Sequence, residues 1–233
     1  MKSIVAISQN IVDLFFPNMC AACHAHLSNS EKDLCFACLQ LLPKTSFHLQ
    51  KNNPVEQKLF GRVDIQRGTA LFYFSKESRM QEILHAIKYK KQFSLAEKMG
   101  WLMANEFQNS DWLHDIDCII PIPLSFQKEK VRGYNQSALL AKAFAEKVNI
   151  PILQHAIKRI KNTETQTKKS KLERLQNVQD AFEWQKNQTI QNKHILLIDD
   201  VITTGATLES CIQAIQKSTS NKVSILALAY AIE

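Results

Sequence analysis

The chain has 233 residues, 45% of them hydrophobic and 22% charged, with 29 Lys and Arg against 22 Asp and Glu for a formal net charge of +7. That length holds one good hydrophobic core plus a small accessory module, and the cationic excess favours anionic partners: phosphorylated metabolites, nucleic acid or an anionic membrane surface. No apolar run approaches the roughly 20 residues of a transmembrane segment, and Ser8, Gln9, Asn10 and Asp13 break the stretch from Ile4 to Phe16 that a secretory signal would need. The expected location is cytoplasmic, where thiols stay reduced, so the six cysteines call for an explanation other than disulfides.

In chain order, Ile4, Ile7, Ile11, Leu14 and Phe15 recur at helical spacing before Pro17, which predicts a short amphipathic packing helix. Two Cys-x-x-Cys knuckles follow, Cys20 with Cys23 and Cys35 with Cys38. Paired knuckles give tetrahedral zinc its four thiolates with little chain strain, and four protein ligands leave no open position, so the zinc is expected to be structural. His24 and His26 are close enough in sequence to replace one thiol; the four cysteines are the preferred set over that, a disulfide or an iron–sulfur cluster. Polar residues from Thr45 to Asn53 read as a linker, so the chain is expected to divide into a zinc-finger module over residues 1–45 and a main domain over 46–233.

The main domain alternates strands and helices. Strands are predicted at Thr69–Phe74, Ile116–Ile122, His194–Ile198 and Val223–Ala231, and helices at Lys76–Tyr89, Ser94–Phe107, Asn135–Val148 and Thr207–Lys217. This order predicts a mainly parallel sheet covered on both faces, with ligands bound beyond the carboxyl ends of its strands. Lys158 to Asn177 is basic and has no apolar period, which predicts an exposed, mobile loop. Cys118 and Cys211 fall in a strand and a helix and read as buried packing residues.

The strongest local signal is Ile195-Leu-Leu-Ile-Asp-Asp-Val-Ile-Thr-Thr-Gly-Ala-Thr207. An apolar strand ends in two carboxylates, and a turn rich in threonine and glycine leads into a helix. The unpaired N–H groups and positive dipole end of a helix N-terminus suit a phosphate. Gly205 allows close backbone approach, Thr203, Thr204 and Thr207 add hydroxyl donors, and ionised Asp199 and Asp200 suit the vicinal hydroxyls of a ribose. A second loop, Pro121-Ile-Pro-Leu-Ser125, is stiffened by its prolines and follows another strand. The basic stretch after Lys158 can close over a pyrophosphate or contact a nucleic-acid backbone. Lys88 is placed either to complement a helix C-terminus or to touch a ligand.

The segment from Ile195 to Thr207 resembles the phosphoribosyl pyrophosphate (PRPP) signature of type I phosphoribosyltransferases. With the two knuckles, Ile87-Lys-Tyr89, Pro121-Ile-Pro-Leu124, Arg132-Gly-Tyr-Asn-Gln136, Arg159, Thr163, Gln166, Arg174, Asn177 and Phe182, the whole chain resembles the ComF family. The resemblance implies a type I phosphoribosyltransferase fold carrying an N-terminal zinc finger. It implies a role in DNA uptake during natural transformation and similarity to amidophosphoribosyltransferases. Asp199 and Asp200 would be the catalytic carboxylates. PRPP would be bound by Val201, Thr203, Thr204, Gly205, Ala206 and Thr207 together with Pro123, Leu124 and Ser125, and Mg2+ would accompany it. Arg159, Thr163, Gln166 and Arg174 would belong to the mobile loop. Lys91, Lys161 and Lys169 depart from the family's usual glycine, arginine and leucine. Two functions follow: pentosyl transfer from PRPP to a nitrogen nucleophile, or non-catalytic handling of single-stranded DNA by the same fold.

Overall fold

The computed structural model describes residues 18–160, 181–185 and 190–232. The helix predicted near the N-terminus lies outside these residues. Among the described residues four parallel strands form the central sheet: β1 (Gly68–Phe74), β2 (Cys118–Pro121), β5 (His194–Ile202) and β6 (Lys222–Ala231), in the order β1-β6-β5-β2. A short antiparallel pair, β3 (Ile157–Arg159) and β4 (Phe182–Trp184), stands apart from it. The helices are α1 (Phe36–Gln40), α2 (Pro54–Leu59), α3 (Arg79–Tyr89), α4 (Phe93–Phe107), α5 (Phe126–Arg132), α6 (Gln136–Val148) and α7 (Ala206–Ser218).

Both faces of the sheet are buried, which is why β5 and β6 read as continuous apolar runs rather than alternating ones. One face packs on α3, α4 and α6, and this cluster also takes in Cys20, Leu34, Cys38 and Leu42. The cysteine module thus shares a core with α3 and α4. The other face packs on α2, α7 and the β3–β4 pair. Helices α4 and α6 cross at Gly100, where an added Cβ would lie 2.6 Å from the Leu140 carbonyl oxygen and 2.8 Å from Ala143 Cβ. Pro121 is tolerated in β2 because β2 is an edge strand, which needs no inward ladder bond from that residue.

The structure corrects three expectations. Strand β5 does not stop before the acid pair: it runs to Ile202, with Asp199, Val201 and Ile202 in register with Ala227, Ala229 and Tyr230 of β6. The long apolar β6 supplies a ladder that the local sequence of β5 does not reveal. Residues Thr45 to Asn53 are not a loose linker. Phe47 is buried against the ring edges of Tyr73 and Tyr230, and the Asn53 amide donates to the carbonyls of Phe47, Gln50 and Gly68. Asn53 also caps α2, with Pro54 at its first position. Finally, Lys158 and Arg159, expected in a loop, belong to β3; their partners in β4 lie more than twenty residues further along the chain. Helices α2 and α5 were not predicted, being too short to display a helical period.

Candidate functional site

The carboxyl ends of β2 and β5 lie side by side, since Pro121 pairs with Ile198. Two helices converge on this edge. Helix α6 is pinned to the exit of β2 by Asn135, whose Oδ1 accepts from the N–H of Ser137 at 3.0 Å while its Nδ2 donates to the Ile122 carbonyl at 3.0 Å. Its first residues therefore reach the acid pair. Ser137 Oγ donates to Asp199 Oδ1 at 2.9 Å, and Gln136 Nε2 donates to Asp200 Oδ2 at 2.9 Å. The last turn of α3 brings Lys88 Nζ to 2.8 Å from Asp200 Oδ2.

Both carboxylates are buried. Burial, and next the neighbouring charge of Asp200, pushes the Asp199 carboxyl up to about 7; the Asp200 N–H, Ser137 and Lys88 oppose the rise without cancelling it. Asp199 therefore gives up its proton less readily than an ordinary carboxyl. The Gln136 Oε1 is buried with no hydrogen-bond partner among the described residues, so one acceptor beside the pair is left over.

Beyond β5, Thr203 and Thr204 lead to Gly205, the N-cap of α7, at φ 77°. Only glycine adopts this left-handed conformation freely. Among the described residues no side chain caps α7, and apart from a long 3.4 Å bond from the Ala206 N–H to Thr204 Oγ1 the loop keeps its donors open. Ala206 and Thr207 open the helix, and Val201 precedes the loop within β5. On the β2 side, Pro123 and Leu124 lead to Ser125, which is buried and caps α5 by accepting from the N–H of Lys128.

Two cations, Lys88 and Arg159, lie within reach of the acid pair. Arg159 stacks over Phe182 with its guanidinium carbon 5.4 Å from the ring centroid. Its burial lowers its pKa and the Asp199 carboxyl opposes this, which places the two groups within electrostatic reach. Lys128 is likewise lowered by burial, then by Arg159, Arg132 and Lys88 in that order. Arg159, expected in the mobile loop, therefore stands at a strand end near the acids; Thr163, Gln166 and Arg174 lie outside the described residues. Sequence reasoning missed Ser137 and Lys128. Both closely follow capping residues, Asn135 and Ser125, and only the fold reveals which way each helix start faces.

The Sγ atoms of Cys20, Cys23, Cys35 and Cys38 all lie within 4.8 Å of one another, and those of Cys23 and Cys35 are 3.8 Å apart. Zinc–sulfur bonds of about 2.3 Å in a tetrahedron put sulfurs about 3.8 Å apart, so the donor set fits that ion. Burial raises the Cys20 thiol, but the N–H groups of Cys35, Ala22 and Cys23 outweigh it and bring the thiol down to about 6. Cys38 moves the other way, raised by burial and by the crowded sulfurs around it. The cluster can hold a metal ion. Cys118 and Cys211 are buried in the core.

A parallel sheet with an acid pair on a central strand and an open helix N-terminus beyond it defines a phosphoribosyltransferase-type protein. The family model described as phosphoribosyl transferase domain matches residues 134–233. The chain is 31% identical over 154 residues to Competence protein F of Haemophilus influenzae, covering 64% of this chain and 67% of that one. It is 26% identical over 218 residues to the DNA utilization protein YhgH of Escherichia coli O157:H7, covering 90% and 89%. It is 40% identical over 90 residues to Competence protein ComFC of Bacillus subtilis, covering 39% and 34%. The chain belongs to the ComF family.

Proposed function

We propose that this chain binds PRPP or a closely related ribose 5-phosphate ligand and serves DNA uptake in natural transformation, from the cytoplasm. The observation that carries the reading is the buried Asp199–Asp200 pair set directly before an uncapped helix N-terminus at Gly205. The acids would take the ribose hydroxyls, and the loop N–H groups would take the 5-phosphate. The cations Lys88, Lys128 and Arg159 would face the pyrophosphate, and Pro123 to Ser125 would wall it. The names of the competence and DNA-utilization relatives support the cellular role.

As an enzyme, the chain would break the bond between the ribose anomeric carbon and pyrophosphate and form a bond from that carbon to a nitrogen nucleophile. Mg2+ brought with PRPP would neutralise the leaving pyrophosphate. Asp199 and Asp200 would orient the ring and offset positive charge at the anomeric carbon. In this reading residues 1–45 form a structural zinc module and 46–233 the ligand-binding domain.

A second reading, single-stranded DNA binding at the same edge, has its own observation. Tyr89 is 59% exposed with the Arg132 guanidinium 5.2 Å from its ring, and Phe126 is 74% exposed on α5, the helix that carries Lys128. Exposed rings among cations are a platform on which bases stack. The test is calorimetry and pyrophosphate release with PRPP and Mg2+, on wild type and Asp200→Asn. Saturable binding that Asp200→Asn weakens supports the ligand reading, and acceptor-dependent pyrophosphate release adds the enzyme. No binding of PRPP or ribose 5-phosphate, together with salt-sensitive DNA binding lost in Tyr89→Ala, sinks it in favour of the second reading.

A further inference from the structure

We infer that Lys58 and Arg62, which neither the phosphate loop motif nor the acid pair includes, are positioning residues that turn the loop's peptide N–H groups toward the ligand. The inference rests on the proposed ribose-phosphate reading of that loop. Lys58 Nζ donates to the Thr203 carbonyl at 2.7 Å, and Arg62 Nη1 donates to the Thr204 carbonyl at 3.2 Å. These are two successive carbonyls of the loop itself. Both cations project from α2 and the turn after it.

The geometry of the peptide bond makes this more than a tether. In a trans peptide the C=O and the following N–H lie in one plane and point in opposite directions. All peptides of the described residues are trans. Drawing the Thr203 carbonyl toward Lys58 therefore directs the Thr204 N–H away from α2. Drawing the Thr204 carbonyl toward Arg62 does the same for the Gly205 N–H. Among the described residues nothing accepts from either N–H. Two successive free N–H groups beside an uncapped helix start form a concave anion nest.

Each clamp is itself held in place. Arg62 Nη1 also donates to the Lys58 carbonyl at 3.1 Å, and its Nη2 pairs with Glu209 in the first turn of α7. Lys58 Nζ sits 4.9 Å from the centroid of the Tyr230 ring at the end of β6. A carbonyl facing the nest would repel a phosphate, so losing the clamps allows a peptide flip that replaces a donor with an acceptor.

The experiment is a titration of 15N-labelled protein with ribose 5-phosphate, followed at the Thr204 and Gly205 amides. Wild type is expected to bind with both amide protons moving downfield. Lys58→Met and Arg62→Met are each expected to weaken binding about tenfold, the worth of one misdirected donor to a charged group, and to abolish the downfield shift. Lys58→Arg and Arg62→Lys, which keep a donor, should restore much of both. Phe60→Ser, changing an exposed residue between them, should leave both unchanged. Unperturbed signals from β6 and α4 show that a variant is folded. Wild-type affinity and shifts in a folded Lys58→Met/Arg62→Met double variant overturn the clamp while leaving the ribose-phosphate reading intact. Absence of binding by wild type overturns that reading and the clamp with it.

Discussion

Replacing Asp199 by Asn should stabilise the free protein at alkaline pH, although it removes a residue of the candidate site. The side chain is buried, and burial followed by the charge of Asp200 lifts its carboxyl from the ordinary 3.8 to about 7. Between those values the folded chain holds a proton that the unfolded chain has lost. Stability from this group is therefore full below about pH 3.8 and is lost as pH rises through 7. The loss reaches about 4 kcal/mol by pH 8, on the order of 8–16 °C in Tm for a chain of this size. Asn matches the protonated acid in shape, and its Oδ1 can still accept from Ser137 and from the Asp200 N–H. Urea unfolding of wild type and Asp199→Asn should give similar stabilities near pH 4 and a gap in the variant's favour that widens to about 3–4 kcal/mol by pH 8. A gap that does not change with pH, or a variant less stable at pH 8, would refute the argument that burial and like charge hold Asp199 up.

The other predictions concern the charge partner, the glycines and the metal. Lys88 lowers Asp199, so Lys88→Met should move the Asp199 titration higher still, read from its carboxyl carbon by NMR. Gly205→Ala should cost about 1–2 kcal/mol because of its φ of 77°, and should also weaken ribose 5-phosphate binding in calorimetry. Gly100→Ala should cost about 1–3 kcal/mol by forcing α4 off the α6 backbone, with ligand affinity unchanged once the protein is folded. Protein purified under reducing, chelator-free conditions should carry one zinc per chain by elemental analysis. Stripping it, or Cys38→Ser, should lower one cooperative melting transition rather than create a second, because Cys20 and Cys38 share a core with α3 and α4.

The sequence by itself determined the parts whose physics is local. Alternating apolar strands and amphipathic helices required a covered parallel sheet. The acid pair, Thr203-Thr204-Gly205 and the following helix marked a candidate anion site, since a helix start and a left-handed glycine need only their neighbours. The paired knuckles brought four thiols together for the same reason. What only the tertiary structure decided was who faces the site. Ser137 and Gln136 belong to an ordinary helix start until Asn135 pins it to the exit of β2. Lys88 became the partner of Asp200 because α3 ends beside β5, and Arg159 left the predicted loop because β4 pairs with it from a distance. Lys58 and Arg62 carry no motif of their own, yet they hold the loop's carbonyls from more than a hundred residues away. The protonation of Asp199 follows the same rule: a carboxylate's ordinary pKa is written in its chemistry, but its desolvation is set by whatever packs over it.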